Sequence, residues 1–325
     1  AHVCDPSTKV IVVGRVNDVE LYRELMRRGA SEYLVAPLDP MHLIEVISGL
    51  YLEPGAAPIG RIVAFMGTRG GAGSSSLSHN VGFCIAEELQ INTTIVDFDL
   101  AFGTAGLDFN DEPGQGVADA LSAPERLDDV LLDRLLMKRG DHLSLFTAPA
   151  ALEREYDAGP DAYESVLEAV RQTTPCVIVD MPHLWAPWVK MTLIGADEIV
   201  LVATPDLASL RNAKSMMELL KHNRPNDAPP RLVLNQIGQP KRPEIPAKDF
   251  AETLGIEPAC VLNFDPMLFG QAANNGQMLI ELQPNAPSST AVRRLAQVVT
   301  GRAPQPVQKS ATSLLSFLNK GKKRA

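Results

Sequence analysis

Two kinds of apolar pattern alternate along the chain. Short uninterrupted runs such as Cys176-Val177-Ile178-Val179 and Ile199-Val200-Leu201-Val202 have strand length, and longer stretches between them carry apolar residues at helical spacing. The front of the chain predicts a strand over 10–14, a helix over 18–28 stopped by Gly29, a short strand Tyr33-Leu34-Val35, a turn at Ala36-Pro37-Leu38 and a helix from Met41 to Leu52. Glu53 to Gly60 is linker by composition, rich in Pro, Gly and Ala. Beyond it the pattern predicts strands over 61–66, 93–98, 142–147, 176–181, 197–203, 231–236 and 260–264. Helices are predicted over 76–90, near 125–137, and over 160–173, 186–194, 206–222, 247–255, 266–275 and 288–300. Strands that are apolar throughout suit a parallel sheet covered on both faces, so the fold class is α/β with a doubly wound, mostly parallel sheet.

The most informative stretch lies where the strand Ile62-Val63-Ala64-Phe65-Met66 runs into Gly67-Thr68-Arg69-Gly70-Gly71-Ala72-Gly73-Ser74-Ser75-Ser76. Glycines at 70, 71 and 73 let the backbone turn its N–H groups inward, and the following helix adds free amides and the positive end of its dipole. A strand, such a turn and a helix make an anion site of the phosphate-loop kind. The alternative is a glycine-rich turn with no ligand. Against the pattern G-x-x-x-x-G-K-[ST], Ser74 stands at the lysine position and Ser75 where the Mg²⁺-binding hydroxyl belongs.

Carboxylates follow at other strand ends. Thr94-Ile95-Val96 leads into Asp97-Phe98-Asp99, whose two carboxylates are expected on one side of the pleat, one near Mg²⁺ and one near an attacking water. Cys176-Val177-Ile178-Val179-Asp180 has the Walker B form suited to holding Mg²⁺ or its water shell. Leu232-Val233-Leu234-Asn235 ends in an amide able to read an adenine edge or to serve simply as a turn residue.

With these motifs in place, residues 61–301 resemble the MinD/ParA-type P-loop ATPases with the "deviant" loop K-G-G-x-G-K-[ST]-[ST]. Asp180-Met181-Pro182, Thr204-Pro205-Asp206 and Asn235 belong to the same resemblance. Within that group the chain is similar to the CpaE/TadZ proteins of Flp/tad pilus assembly. The resembling residues are His79-Asn80, Asp97 to Ala105, Gly116 to Leu121, Pro205 to Ala213 and Ala272 to Gly276. Arg28-Gly29-Ala30, Tyr33-Leu34 and Pro37-Leu38 resemble the second half of a response-regulator receiver, with Ala36 where a receiver carries its lysine. That substitution implies a degenerate receiver used for docking or dimerisation.

The resemblance implies ATP (or ADP) and Mg²⁺ as ligands. Gly70, Gly71, Ala72, Gly73, Ser74, Ser75 and Ser76 would cradle the phosphates, Ser75 would meet Mg²⁺, Asp97 and Asp180 would tune the metal, Asp99 would orient the hydrolytic water and Asn235 would read adenine. Arg69 corresponds to the family's signature lysine, which reaches the partner's phosphates across a homodimer; its guanidinium keeps the cation and a forked grip. Ser74 replaces the lysine that neutralises the transferring phosphoryl group, which predicts binding with slow or absent turnover. The expected partners are a second copy of the chain, the secretion ATPase of the pilus machine, and inner-membrane or polar hub proteins. An active MinD-like switch and a ParA-like partner of DNA are the alternatives.

Composition and charge narrow this further. The domain organisation read from the chain is 1–52 receiver-like half, 53–60 linker, 61–302 nucleotide-binding domain and 303–325 tether and tail. The four cysteines are far apart and in apolar stretches, as expected of reduced core residues in a cytosolic protein. The chain starts at Ala1 without methionine, as a fragment lacking its N-terminal part would. The net charge of −9 argues against a nucleic-acid-binding body. From Lys309 onward there are five basic and no acidic residues, leaving the rest near −14. Leu314, Leu315, Phe317 and Leu318 precede that basic cluster, so residues 312–324 form a candidate amphipathic contact with an anionic membrane surface, at the inner membrane or cell pole. A solubilising terminus or a docking peptide is the other reading.

Overall fold

The computed structural model describes residues 9–16, 18–38, 43, 46–47, 49–50, 59–111, 116–149, 152 and 158–302. The chain divides into two compact units, Ala1–Pro58 and Ile59–Ala325. In the first, β1 (Ile11–Gly14) and β2 (Glu32–Val35) pair in parallel, joined by α1 (Val19–Arg27). Asp18 caps α1 by accepting from the amides of Glu20 and Leu21 at 2.7 and 3.3 Å. The helix expected from Met41 to Leu52 and the linker over 53–60 lie largely outside the described residues, as do Cys4 and the tail over 303–325.

The second unit is built on an eight-stranded sheet. Its members in chain order are β3 (Arg61–Gly67), β4 (Thr93–Asp97), β5 (Met137–Arg139), β6 (Leu143–Phe146), β7 (Cys176–Met181), β8 (Glu198–Ala203), β9 (Arg231–Ile237) and β10 (Cys260–Asn263). Spatially they run β10-β9-β8-β3-β7-β4-β6-β5, all parallel except the last pair, β6 with β5. The helices between them are α2 (Ser74–Glu87), α3 (Ala105–Asp108), α4 (Gly116–Ser122), α5 (Asp129–Leu135), α6 (Pro160–Thr173), α7 (Pro187–Gly195) and α8 (Leu207–Asn223). The last four are α9 (Ala247–Leu254), α10 (Pro266–Asn275), α11 (Leu279–Leu282) and α12 (Pro287–Val299).

Strand alternation divides the core into two layers. On one face Val63, Phe65, Ile95 and Ile178 pack with Leu77, Val81 and Ile85 of α2 and with Val292 and Leu295 of α12. On the other, Ile62, Ala64, Val96, Val177 and Val179 pack with Val166 and Val170 of α6 and Val189 and Leu193 of α7. Helices on both faces of a parallel sheet are the doubly wound arrangement expected from the apolar strands. Cys84, Cys176 and Cys260 are buried free thiols, each pushed up by burial, Cys84 and Cys176 to about 12 and Cys260 to about 11. Among the described residues no helix is long and apolar enough to cross a membrane.

Several boundaries differ from the sequence expectation. The strand expected over 93–98 stops at Asp97, because that carboxylate turns back to accept the amides of Asp99 and Ala105 at 3.0 and 3.1 Å. Asp99 therefore lies beyond the strand instead of alternating with Asp97 on it. The helix expected near 125–137 shortens to α5, preceded by a 3-10 turn over Pro124–Arg126, since Asp128 caps at Leu131 N and residue 137 already belongs to β5. Short elements α3, α4, β5 and α11 have no clear periodicity of their own; β5 exists only through its pairing with β6.

Gly60, where the second unit begins, is boxed in by backbone: a Cβ there would overlap the carbonyl oxygen of Thr174. Gly195, at the end of α7, has open space around its Cα. Gly60→Ala is expected to cost more than about 2 kcal/mol, while Gly195→Ala is neutral or stabilises by up to about 1 kcal/mol. Urea unfolding of the two variants checks both.

Candidate functional site: a phosphate-type loop over a buried histidine–carboxylate cluster

β3 delivers the chain to the loop at Gly67, and α2 leaves it at Ser74. Gly71 and Gly73 have φ of 75° and 89°, so the loop uses a conformation that side chains with a Cβ resist. Three of its carbonyls accept from side-chain amides of neighbouring elements. Asn212 Nδ2 donates to the Thr68 carbonyl at 2.7 Å, Gln236 Nε2 to that of Gly71 at 2.9 Å and Asn235 Nδ2 to that of Ala72 at 2.9 Å. The imidazole Nδ1 of His183 lies 3.1 Å from the Gly67 carbonyl, and Thr68 N donates to Val202 O at 2.8 Å. The first hydrogen bond of α2 after the loop runs from Leu77 N to Gly73 O at 3.1 Å, so the amides of Ser74, Ser75 and Ser76 precede it at the positive helix end.

Asn235 is placed differently from the adenine-reading position the sequence suggested. It is buried beneath the loop, its Nδ2 held by Ala72 and its oxygen accepting Gln236 N at 2.9 Å, so it braces the loop and presents no open edge. Asn212 belongs to the Pro205–Ala213 resemblance, whereas Gln236 carries no motif; a polar side chain on an element flanking a glycine-rich turn is its one signal in the sequence. Ser74 begins α2 with its hydroxyl buried and without a hydrogen-bond partner. Ser75 and Ser76 are half-buried, and Ala72 is buried.

Arg69 points along the loop rim to Asp206, Nη1 to Oδ2 at 3.0 Å. Asp206 also accepts from Thr204 Oγ1 at 2.6 Å and from Ser209 N at 2.9 Å as the N-cap of α8. Burial, which alone would raise its pKa, is outweighed by the bonds from Thr204, Ser209 and Arg69, and the carboxyl is held below its ordinary value. Arg69 is half-exposed, so the pair holds it by about 0–1 kcal/mol and releases it readily to a stronger anion.

Behind the loop sits a polar cluster in the apolar core. His79 on α2 is fully buried, with Nδ1 2.7 Å from Asp108 Oδ2 and Nε2 3.4 Å from Asp180 Oδ2. Asp97 and Asp180 are register partners on β4 and β7, and both are buried. Burial would lower the His79 pKa, but the hydrogen bond to Asp108, the close approach of Asp180 and the charges of both push it up to about 10. Burial first, and then the nearby Asp180 charge, push Asp97 up to about 7. In the sequence His79 stands out only through the resemblance carried by His79-Asn80; its carboxylate partners are brought to it by the fold.

These positions bear on a Mg²⁺–polyphosphate ligand. Ser75 opens the helix beside the loop and Asp99 is half-buried past the strand end, one carboxylate oxygen accepting Phe102 N at 3.0 Å; both fit. Asp180 is buried with the cluster, and its Oδ1 finds no hydrogen-bond partner among the described residues. Asp97 does not fit: two backbone amides cap it, and a Cβ on Gly103 would overlap its carboxylate. The structure thus brings Arg69, Gly70, Gly71, Ala72, Gly73, Ser74, Ser75 and Ser76 into one loop and turns Asp97 inward from it.

Comparison with known proteins bears on the fold. No family model matches the chain. The septum site-determining protein MinD of Bacillus subtilis is 26% identical over 253 residues, spanning 75% of this chain and 91% of that protein. A ParA family ATPase from Chlorobium tepidum superposes with a TM-score of 0.65 at 24% identity over 74% of this chain and 98% of its own. The cell division ATPase MinD of Pyrococcus furiosus superposes with a TM-score of 0.65 at 20% identity, over 75% of this chain and all of its own. The fold is that of the MinD/ParA P-loop ATPases. Within that fold the loop, Asp97 and Asp180 stand at the carboxyl ends of the central parallel strands, where ligands of doubly wound sheets bind.

Asp206→Ala is expected to lose the α8 cap and about 1 kcal/mol, with Asp206→Asn retaining most of it. Thermal melts of the two variants check the cap independently of any ligand.

Proposed function

We propose that this chain is an ATP-binding localisation or assembly factor of the MinD/ParA type, linked into homodimers by nucleotide, with weak or no hydrolysis. The observation that carries the reading is the loop itself: carbonyls tied back by Asn212, Asn235 and Gln236, helix amides at Ser74 to Ser76, and a serine in place of the neutralising lysine. Amides bind phosphate oxygens in ground state and transition state alike, so they supply affinity; the missing lysine lowers turnover. Relatives of this fold include a Pyrococcus horikoshii MinD complexed with Mg-ADP and a MinC:MinD complex from Aquifex aeolicus, which supports nucleotide and protein partners for this chain as well.

Dimerisation follows from Arg69 and its surroundings. An Arg held by one exposed ion pair can turn to a partner's phosphates. Phe102, Trp185, Leu207 and Met267, each following the carboxyl end of a sheet strand, are more than half exposed and offer apolar area beside it. Within the group, the CpaE/TadZ resemblance in His79-Asn80, Asp97 to Ala105 and Ala272 to Gly276 supports a role in Flp/tad pilus assembly, with the secretion ATPase and inner-membrane or polar proteins as partners. The place of action is then the cytoplasmic side of the inner membrane or cell pole, reached through residues 312–324, which lie outside the described residues. A cycling MinD-like switch is the second reading; half-buried Asp99, free of the strand, is the observation that favours it.

Three measurements test the proposal. ATP binding by calorimetry is expected for wild type and, within about threefold, for Ser74→Ala, since backbone amides carry the grip. Ser74→Lys is expected to raise phosphate release by about tenfold or more, and a wild-type rate that is already fast and abolished by Asp99→Ala favours the switch instead. Light scattering is expected to show ATP-dependent dimers for wild type and monomers for Arg69→Ala. Absence of ATP binding removes the proposal altogether.

A further inference from the structure

The cluster behind the loop has the features of a metal site more than those of a simple ion pair. Among the described residues His79 Nε2 finds no hydrogen-bond partner, although the residue is fully buried and Nε2 faces carboxylate oxygen. Its separation from Asp180 Oδ2, 3.4 Å, is long for a hydrogen bond. It matches the distance of about 3.3 Å between two ligands that each sit about 2.0–2.1 Å from a tetrahedral ion. Asp180 Oδ1 is likewise buried and unpartnered. One donor atom each from His79, Asp97 and Asp180 lies within 4.8 Å of the other two, and each Asp97 oxygen accepts one backbone amide and keeps a second lone pair for an ion.

The far side of the imidazole completes the picture. Nδ1 is bound to Asp108 Oδ2 at 2.7 Å, and Thr104 Oγ1 steadies the same oxygen at 3.3 Å. A histidine that donates one ring N–H to a carboxylate and turns the other nitrogen inward is the usual arrangement of a metal-bound imidazole. The three donors stand on β4, β7 and α2, elements fixed by the core, and Asp97 and Asp180 are register partners on adjacent parallel strands. Two buried carboxylates carry the charge that a dication balances once it displaces the proton from the inward imidazole nitrogen.

We propose that His79, Asp97 and Asp180 form a binding site for a divalent transition-metal ion of the zinc type, with Asp108 orienting the imidazole. An imidazole with two carboxylates suits Zn²⁺, Co²⁺ or Mn²⁺. Mg²⁺ prefers oxygen ligands and keeps several waters, for which a cluster this buried leaves little access. The site needs no nucleotide and stands or falls separately from ATP binding at the loop.

The test uses the full chain, stripped with EDTA and without nucleotide, to which ZnCl₂ or CoCl₂ is added. Expected results are stoichiometric Zn²⁺ retained through gel filtration, visible d–d absorption with Co²⁺, and a melting temperature that Zn²⁺ raises and EDTA lowers. His79→Gln is expected to abolish retention, and Asp108→Asn to weaken Zn²⁺ affinity by about 10–100-fold. If His79→Gln does not fold, the wild-type Co²⁺ spectrum and melting response decide. No retained Zn²⁺ and no melting response in wild type overturn the proposal and leave His79 as an imidazolium neutralising the carboxylates. Retention undiminished in a folded His79→Gln overturns it as well, by locating the metal elsewhere.

Discussion

The hydrogen bonds that hold the loop carbonyls are the constraint on which the site depends. A glycine-rich turn of this length has many conformations, and its peptide groups can point either way. Asn212 from α8 and Asn235 and Gln236 from β9 take the carbonyls of Thr68, Ala72 and Gly71 and so fix these peptide groups in place. The bracing elements are the neighbours that the parallel order β9-β8-β3 places beside the loop. The sheet order therefore sets the loop conformation, and the loop conformation sets what can bind.

A second consequence of the same order is the burial of ionisable groups immediately behind the loop. β3 lies between β8 and β7, and β7 carries Asp180 beside Asp97 of β4 at the layer where α2 crosses the sheet. Two carboxylates in an apolar interior are costly unless a cation or strong donors meet them. Backbone amides meet Asp97, His79 meets Asp180, and Asp108 holds His79 from the other side. Loop and cluster are thus supported by the same strands, with α2 joining them: Ser74 to Ser76 open the helix and His79 follows about one turn later.

The rim around the loop differs in character from both. Among the described residues Arg69 pairs with Asp206, and Phe102, Trp185, Leu207 and Met267 are exposed past the carboxyl ends of β4, β7, β8 and β10. An ion pair this exposed is screened by water and costs little to break.

The doubly wound α/β class, the long helices and the phosphate-type loop were legible in the sequence, because apolar runs, helical periodicity and glycine spacing are local properties. So were the Asp97, Asp99 and Asp180 strand-end positions as candidates. What the carboxylates face was not, since that depends on which strands become neighbours: Asp97 turned inward, Asp99 fell outside the strand, and Asn235 became a brace under Ala72. The small edge strand β5 and the short helices α3, α4 and α11 likewise owe their form to contacts distant in sequence. Local order followed from the residues themselves. The pairing of His79 with Asp108 and Asp180, residues 29 and 101 positions further along, came only from the closing of the sheet and the packing of α2 upon it.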